Sequence, residues 1–356
     1  MYDSSIINYL LMWISWIQLS IQSTSHRQLW HIVNMSRYSG LLLLLCFLLA
    51  SCSGDGEDRL NFKDRGRDVP FFNADSAYHF LSQQVSFGPR NPNSEGHRQT
   101  RTYLIDKLSG YAGPRSVYAQ HFNHRGYDGD TLRLSNIIAA FNVNSSDRIM
   151  LCAHWDTRPR ADEDPADPDN PIPGADDGAS GVAVLLELAR LMSEQLPAIG
   201  VDIVLFDGED YGKTGNLEQY FLGSRYWANN PPVKNYRPRF SILLDMVGGE
   251  NPRFPKEQYS MQFAPALVNE VWSIAAEKGY GSVFVNEVGA AISDDHVVIN
   301  RILNIPAIDI IRHSPEDGRA GFAPYWHTHK DNLDIIDKRT LQAVGDVLAE
   351  LIYNRI

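Results

Sequence analysis

Three short motifs between Leu151 and Gly212 place ionisable side chains next to apolar runs. They read LCAHWDT at 151–157, GADDGASG at 174–181 and DIVLFDGEDYG at 202–212. In the first and third, the ionisable residues follow a strand-like run, whereas the second opens a run with helical spacing. In open α/β sheets, ligands and metal ions bind at the carboxyl ends of the strands. The three motifs therefore predict one shared site at that edge of a sheet.

Strand-like and helix-like segments alternate through the rest of the chain. The spacing predicts strands at residues 116–122, 131–141, 148–153, 201–206, 240–244, 282–285 and 307–311. It predicts helices at 74–85, 178–196, 265–278 and 339–352, and one that begins at Ser94. This alternation is typical of a three-layer α/β/α sandwich around a twisted mixed sheet. No internal repeat or linker is visible after residue 70, so we expect residues 71–356 to form a single domain.

The N-terminal part of the chain has the layout of a secretory signal. Residues 35–52 contain one arginine, then an apolar run, and end in the tetrapeptide LASC. The run is too short for a typical membrane span, and its ending resembles a bacterial lipoprotein signal. We therefore expect translation to begin at Met35 and Cys52 to become the lipidated first residue. Residues 1–52 would then be upstream sequence and signal, and residues 53–70 a polar tether.

Composition limits the partners that the chain can have. The net charge of -11, with no basic patch in the sequence, argues against nucleic acid. We expect the protein to be exported across the inner membrane of a Gram-negative bacterium and to lie in the periplasm or at the outer membrane. A lipid on Cys52 would be its only membrane contact. Cys152 is the only cysteine after residue 52, so the domain can form no internal disulfide. We expect a monomer.

Several side chains near the predicted strand ends are of the types that bind zinc. Catalytic zinc takes three protein ligands and keeps one position open for water or substrate. Five candidate ligands follow apolar runs or lie in the loops after them: His154, Asp177, Asp210, Asp245 and His327. For Asp177, the alternative is a helix N-cap. His327 stands in an aromatic, charged loop, where Trp326 would supply an apolar wall.

Glu209 and Asp210 are the most informative pair, because they directly follow a strand that we expect to be buried. Two adjacent carboxylates repel each other unless a cation neutralises them. One can bind a metal ion while the other transfers a proton. A solvated turn is the alternative.

Two further groups of charged residues stand out in the sequence. The cluster at 294–296 is either a helix cap or a network that supports the site. The acidic loop at 161–170 lacks the spacing of a calcium loop.

Taken together, these motifs resemble the zinc-dependent exopeptidases of the aminopeptidase type. Within that clan the chain is most similar to the glutaminyl-peptide cyclotransferases of animals and Bacteroidetes. The segments that carry the resemblance are FGPR at 87–90, FDGED at 206–210, LGSRYWA at 222–228, LLDMVGGENPRF at 243–254, SDDH at 293–296 and WHTHKDNLD at 326–334.

The resemblance implies a peptide substrate with N-terminal glutamine, which is converted to pyroglutamate with release of ammonia. It implies one zinc ion per chain as a Lewis acid, bound by three side chains: Asp177, Asp210 and His327. Glu209 would be the general acid/base, with Asp245 and Asp294 in a hydrogen-bonded network beside the substrate. Trp326 would flank the substrate side chain.

The chain lacks the cysteine pair of the animal cyclases, and it departs from them at three places near this site, one of which is Ser293, where those enzymes have glutamine. Asp210 stands where those enzymes carry a glutamate, so the ligand is shorter by one methylene group. Residues 213–220 contain no match for their lid tryptophan. We therefore expect a different pocket ceiling.

A two-zinc aminopeptidase is the alternative that the candidate ligands leave open. His154 and Asp245 would then hold a second zinc ion, Asp177 would lie between the two ions, and Glu209 would activate a water molecule. Asp156 would either bind the second ion or support its ligands. A tethered binding protein with an inactive site is a third possibility, and the intact ligand set argues against it. Trp326 and the cluster at 294–296 favour the cyclase.

Overall fold

The computed structural model describes residues 60–213, 215–317 and 320–356. The predicted signal, the predicted lipidation site at Cys52 and residues 53–59 of the predicted tether lie outside these ranges, so they stay predictions. The helices of the described part are α1 (Ala74–Ser86), α2 (Glu95–Ala112), α3 (Ala179–Glu194), α4 (Leu222–Asn229), α5 (Gln258–Phe263), α6 (Pro265–Glu277), α7 (Asp295–Leu303) and α8 (Lys338–Glu350). None of the helices in these residues is long and apolar enough to span a membrane.

The strands form one large sheet and one small one. They are β1 (Val117–Arg125), β2 (Thr131–Phe141), β3 (Arg148–His154), β4 (Gly200–Phe206), β5 (Ser241–Asp245), β6 (Phe254–Lys256), β7 (Phe284–Val288) and β8 (Ala307–Ile311). The large sheet has the order β1-β2-β4-β3-β5-β8, and β6 pairs with β7 separately. β2 is antiparallel to β1 and β4, whereas β4, β3, β5 and β8 run parallel. The carboxyl ends of these four strands therefore meet at one edge.

Helices cover both faces of the sheet, as the alternating side chains of β3 demonstrate. Ile149, Leu151 and Ala153 belong to a core that includes residues of α1, α2, α3, α6 and α8. Met150 and Cys152 belong to a second core, which includes residues of α4 and α7. A parallel strand that is buried on both faces needs apolar residues at successive positions, which is what the sequence of β3 provides. The predicted three-layer sandwich with a mixed sheet is confirmed.

Residues 60–70 pack against the body of the domain. The backbone N–H groups of Lys63 and Arg65 donate to the carbonyl oxygens of Arg355 and Asn354, at 3.2 and 3.1 Å. The ring centroid of Phe62 lies 5.8 Å from that of Phe240. These contacts attach the described part of the predicted tether to the C-terminal end of the domain and to the start of β5.

Candidate active site

The parallel strands and the loops after them bring the predicted site residues to one edge of the sheet. His154 ends β3, Asp245 ends β5, and Glu209 and Asp210 lie in the turn after β4. A cavity of about 410 Å³ opens there. Seven predicted site residues line it: Asp177, Glu209, Asp210, Asp245, Asp294, Trp326 and His327. His154 and Asp156 lie behind it, and both are almost fully buried.

Asp177, Asp210 and His327 form the first group that could hold a metal ion, which we call the His327 cluster. One ligand atom from each lies within 4.8 Å of the others. The Nε2 atom of His327 lies 3.7 Å from Asp177 Oδ2 and 3.5 Å from Asp210 Oδ1. Asp210 Oδ2 is buried without a hydrogen-bond partner among the described residues. One imidazole, two carboxylates and an unpartnered buried oxygen fit a zinc ion.

A fully buried arginine braces the His327 cluster. Arg158 Nη1 donates to Asp210 Oδ1 at 2.7 Å, and its Nε and Nη2 donate to the two carboxylate oxygens of Asp162, both at 2.6 Å. Asp162 Oδ1 in turn lies 3.6 Å from His327 Nδ1. One guanidinium group therefore fixes one proposed ligand directly and holds the carboxylate that faces another.

Asp331 holds the backbone that carries Asp177. Its carboxylate accepts the N–H groups of Asp176 and Asp177 at 2.7 and 3.1 Å. Asp176 does not line the cavity, since it accepts hydrogen bonds from Gly248 N and from the hydroxyl group of Tyr325, both at 2.7 Å. The N-cap position of α3 is Gly178, which has no side chain to cap with. Neither aspartate therefore caps this helix.

His154, Asp177 and Asp245 form a second possible metal-binding group, the His154 cluster, which shares Asp177 with the first. His154 Nε2 lies 3.1 Å from Asp177 Oδ1 and 3.2 Å from Asp245 Oδ1. The His154 ring also requires glycine at position 178, because a Cβ atom there would lie 2.5 Å from His154 Cε1. The chain thus brings all five candidate ligands together.

Asp156 supports the turn after β4. Its Oδ1 accepts the N–H of Glu209 at 3.0 Å, and its Oδ2 accepts the N–H of Asp210 at 3.3 Å. Its Oδ1 also lies 3.5 Å from His154 Nδ1. Asp156 therefore orients both acidic residues of the turn through their backbone.

The two histidines have different electrostatic surroundings. Burial lowers the pKa of His327 well below its ordinary value, and the positive charges of Arg158 and Arg160 act in the same direction. Burial opposes protonation of His154 too, but hydrogen bonds to Asp156, Asp177 and Asp245 outweigh it and raise the pKa of this ring. Burial likewise raises the pKa of Glu209 well above its ordinary value, and the charge of Asp210 adds to the effect.

Aromatic and apolar side chains complete the cavity. The ring centroid of Trp326 lies 3.6 Å from that of His327 and 4.5 Å from that of Phe322, and all three residues line the cavity. Leu217 and Tyr220 also line the cavity, and both lie in the segment 213–220 that has no match for the lid tryptophan. This segment therefore contributes Gly215, Leu217 and Tyr220 to the lining.

The cluster at 294–296 divides into three roles. Asp294 lines the cavity and is the N-cap of α7, with Oδ1 accepting the N–H of Asp295 at 2.5 Å. Asp295 accepts a hydrogen bond from Ser224 Oγ. His296 Nε2 lies 3.1 Å from Glu257 Oε2, away from the cavity lining. The cap and the support interpretations therefore both apply, to different residues.

The sequence argument did not find four supporting residues, although each had a signal. Arg158 lies two positions after Asp156, Asp162 stands in the acidic loop, Asp331 follows His327 by four positions, and Phe322 precedes Trp326 by four positions. Each is close in sequence to a motif residue. Only the folded loops reveal which atoms they contact.

Comparison with known proteins agrees with this geometry. Residues 136–352 match the profile of peptidase family M28. The chain belongs to this family. A solved glutaminyl cyclase from Bacteroides thetaiotaomicron, bound to N-acetylhistamine, is 49% identical, with a TM-score of 0.77 over 80% of this chain and 99% of that one. A solved Zn-dependent exopeptidase from Parabacteroides distasonis is 47% identical, with a TM-score of 0.79 over 81% of this chain and 100% of that one.

Two curated proteins are similar at lower identity. The glutaminyl-peptide cyclotransferase of Bos taurus is 26% identical over 293 residues, which cover 73% of this chain and 76% of that protein. An aminopeptidase of Bacillus subtilis is 28% identical over 220 residues, or 60% of this chain. The match spans only 42% of the length of that aminopeptidase. The resemblance read from the motifs is therefore confirmed at the level of the family, and both activities occur among the similar proteins.

Proposed function

We propose that the chain is a glutaminyl-peptide cyclotransferase, which converts the N-terminal glutamine of peptides into pyroglutamate and releases ammonia. The observation that carries the proposal is a single cavity in which Glu209 lies beside the His327 cluster and Trp326 forms one wall. This cavity combines a base, a cation site and apolar surface for a side chain. The similarity to a cyclase over 99% of its length supports the same activity.

The proposal includes one zinc ion per chain, held by the His327 cluster. When bound, zinc would act as a Lewis acid toward the carboxamide oxygen of the glutamine side chain. The unpartnered Oδ2 of Asp210 offers a coordination atom, because Arg158 occupies the other oxygen of that carboxylate. Aspartate reaches less far than glutamate, and the direct bond to Arg158 fixes its position.

Glu209 carries the proton transfers. It accepts a proton from the α-amine as the amine nitrogen forms a bond to the side-chain carbonyl carbon. The bond between that carbon and the amide nitrogen then breaks, and Glu209 returns the proton so that ammonia leaves. Asp156 holds the backbone N–H of Glu209 at 3.0 Å and so keeps the base in place.

Asp245, Asp294 and Trp326 position the substrate. Asp245 and Asp294 line the cavity as buried carboxylates, where they accept hydrogen bonds from the amine or amide of the substrate. The indole ring of Trp326, which stacks on His327, offers a flat apolar surface to the methylene groups of glutamine. Holding both ends of the glutamine brings the amine close to the carbon that it attacks.

The His154 cluster supports a second candidate, a two-zinc aminopeptidase. Its three side chains also place ligand atoms within 4.8 Å of one another, and it shares Asp177 with the His327 cluster. In that enzyme Glu209 would act on water, and the product would be a free amino acid. The two candidates therefore differ in substrate, product and zinc content.

The deciding experiment is an assay of glutaminyl and leucyl peptides under identical conditions, with ammonia and free amino acid measured separately. We expect ammonia from the glutaminyl peptide and little cleavage of the leucyl peptide. Glu209→Gln should keep its zinc and lose on the order of 10²–10⁴-fold in kcat, because the base is gone. Glu218→Gln, an exposed carboxylate nearby, is the matched control. Wild-type turnover in Glu209→Gln would refute the assignment.

A further inference from the structure

A second cavity of about 200 Å³ adjoins the catalytic cavity. The two cavities share four lining residues: Leu217, Phe221, Ser293 and Asp294. Residues of α4 and α7 line the rest of it, among them Arg225 and Arg301. We propose that this cavity binds the residues that follow the N-terminal glutamine and that it selects peptides with an acidic side chain there. This inference rests on the proposed cyclotransferase function.

The first argument is the charge that the cavity offers. Neither Arg225 nor Arg301 forms an ion pair with any carboxylate among the described residues. Arg225 Nη2 donates to the carbonyl oxygen of Leu217 at 2.8 Å, and its buried Nε has no partner in the same part of the chain. Arg301 lies over the ring of Tyr259, 5.6 Å from its centroid. A guanidinium group binds a carboxylate through paired N–H donors, so both arginines can receive an acidic side chain.

Among the described residues, a single carboxylate lines this cavity, and it works against an acidic occupant only weakly. Asp294 is 5% exposed, and its Oδ1 already accepts the N–H of Asp295. Two guanidinium groups therefore face one shielded carboxylate. The residues that line this cavity therefore carry two formal positive charges and one negative charge, although the whole chain has a net charge of -11.

The second argument is the apolar surface beside the arginines. Leu217 and Ile302 both line the cavity and are 57% and 44% exposed. Exposed aliphatic side chains next to unpaired guanidinium groups match the methylene stem and carboxylate of glutamate. Because an extended chain advances about 3.3–3.6 Å per residue, the second or third residue of the substrate reaches a cavity that borders the first.

The net negative charge of the protein makes it possible to separate the effect of the two arginines from the electrostatic effect of the whole protein on a charged peptide. A net negative protein attracts cationic peptides and repels anionic ones, so without this subsite a lysine should be favoured over a glutamate. A preference for glutamate must come from the local arginines. The sign of the preference therefore reports on the cavity.

The test measures kcat/KM for ammonia release from amidated peptides with glutamate, glutamine or lysine at the second or third position. At one of these positions we expect glutamate to exceed glutamine by about 2–5-fold for each engaged arginine, as for exposed ion pairs. The ratio should fall as salt is raised. Arg301→Gln should reduce the glutamate-to-glutamine ratio toward one, and Arg225→Gln should do the same.

Arg237→Gln is the matched control, because Arg237 is exposed and does not line either cavity. This variant should keep the wild-type ratio. Equal rates for glutamate and glutamine at both positions, or a ratio that survives in both arginine variants, would overturn the inference while the cyclotransferase function stands. If none of the peptides releases ammonia, the proposed function is overturned instead, and the inference with it.

Discussion

The two histidines of the site approach different oxygens of the same carboxylate, yet their surroundings differ. His327 Nε2 faces Asp177 Oδ2 at 3.7 Å, and His154 Nε2 faces Asp177 Oδ1 at 3.1 Å. The His327 cluster is braced from outside by Arg158 and Asp162, and Asp210 Oδ2 has no partner among the described residues. In the His154 cluster the members contact one another, with His154 bridging two carboxylates.

The contrast is therefore one of distance and of bracing: His154 Nε2 lies 3.1 and 3.2 Å from its two carboxylates, whereas His327 Nε2 lies 3.7 and 3.5 Å from its own, one of which Arg158 holds. External hydrogen bonds orient ligands without using the atoms that would bind the metal. In both clusters the imidazole Nε2 contacts two carboxylates, but the contacts of His154 are the shorter ones, and a second ion would have to replace both. The proposal of one zinc ion at the His327 cluster depends on this difference, and the following substitutions test it.

The largest effect should come from removing one ligand of each cluster in turn. Asp210→Asn should bring zinc from about one ion per chain to near zero, since three ligands are needed. Turnover should fall by at least about 10³-fold, because the Lewis acid contributes several kcal/mol. Asp245→Asn should keep its zinc. Zinc measured by mass spectrometry on dialysed protein checks both, and loss of zinc from Asp245→Asn would reverse the comparison.

The next effect concerns stability. His154→Leu removes the imidazole that contacts both Asp177 and Asp245, so these two buried carboxylates lose that contact. We expect the free energy of unfolding to fall by about 3–5 kcal/mol while the zinc content stays at about one. Denaturant unfolding measures the first and metal analysis the second. His79→Leu, on the exposed face of α1, is the control and should change stability by less than about 0.5 kcal/mol.

A wild-type content of two zinc ions that drops to one in His154→Leu would contradict the one-ion interpretation. It would make the His154 cluster a true metal site. The aminopeptidase would then be the better explanation of the same residues.

The fold could be predicted well where burial imposes a period on the sequence. The strands at 131–141 and 307–311 were predicted with the bounds that the structure has. The short helix α4, of eight residues, was missed, and α7, of nine residues, was present only as the possible helix cap at 294–296, because so few turns give little periodic signal. The chain enters α4 through Phe221 at a φ of 59°, a conformation that no sequence rule assigns to phenylalanine.

The proximity of the candidate site residues could be predicted, but the residues that support them could not. Ligand candidates follow strand ends, and parallel strands bring such positions together, so their proximity follows from the fold class. The contacts of Arg158 and Asp162 depend instead on how the irregular loop after β3 folds back toward His327. That loop has no period to read, and because its acidic residues lack the spacing of a calcium loop, they were given no role.

The smallest effect tests the brace itself. Arg158→Lys keeps the positive charge but cannot bond Asp162 and Asp210 together, because an ammonium group lacks the planar fork of a guanidinium. Because the charge stays the same, a change in zinc affinity reports on the orientation of the ligands and not on repulsion between the side chain and the metal ion. We expect zinc affinity, measured by competition with a chromophoric chelator, to weaken about 10–100-fold. The control is Arg160→Lys. In the wild type, Arg160 Nη2 donates to the carbonyl oxygen of Gly212 at 2.7 Å, and the variant should bind zinc as the wild type does. An unchanged affinity in Arg158→Lys would mean that the two clusters do not differ in how their ligands are held, and the contrast would rest on the bridging contacts of His154 alone.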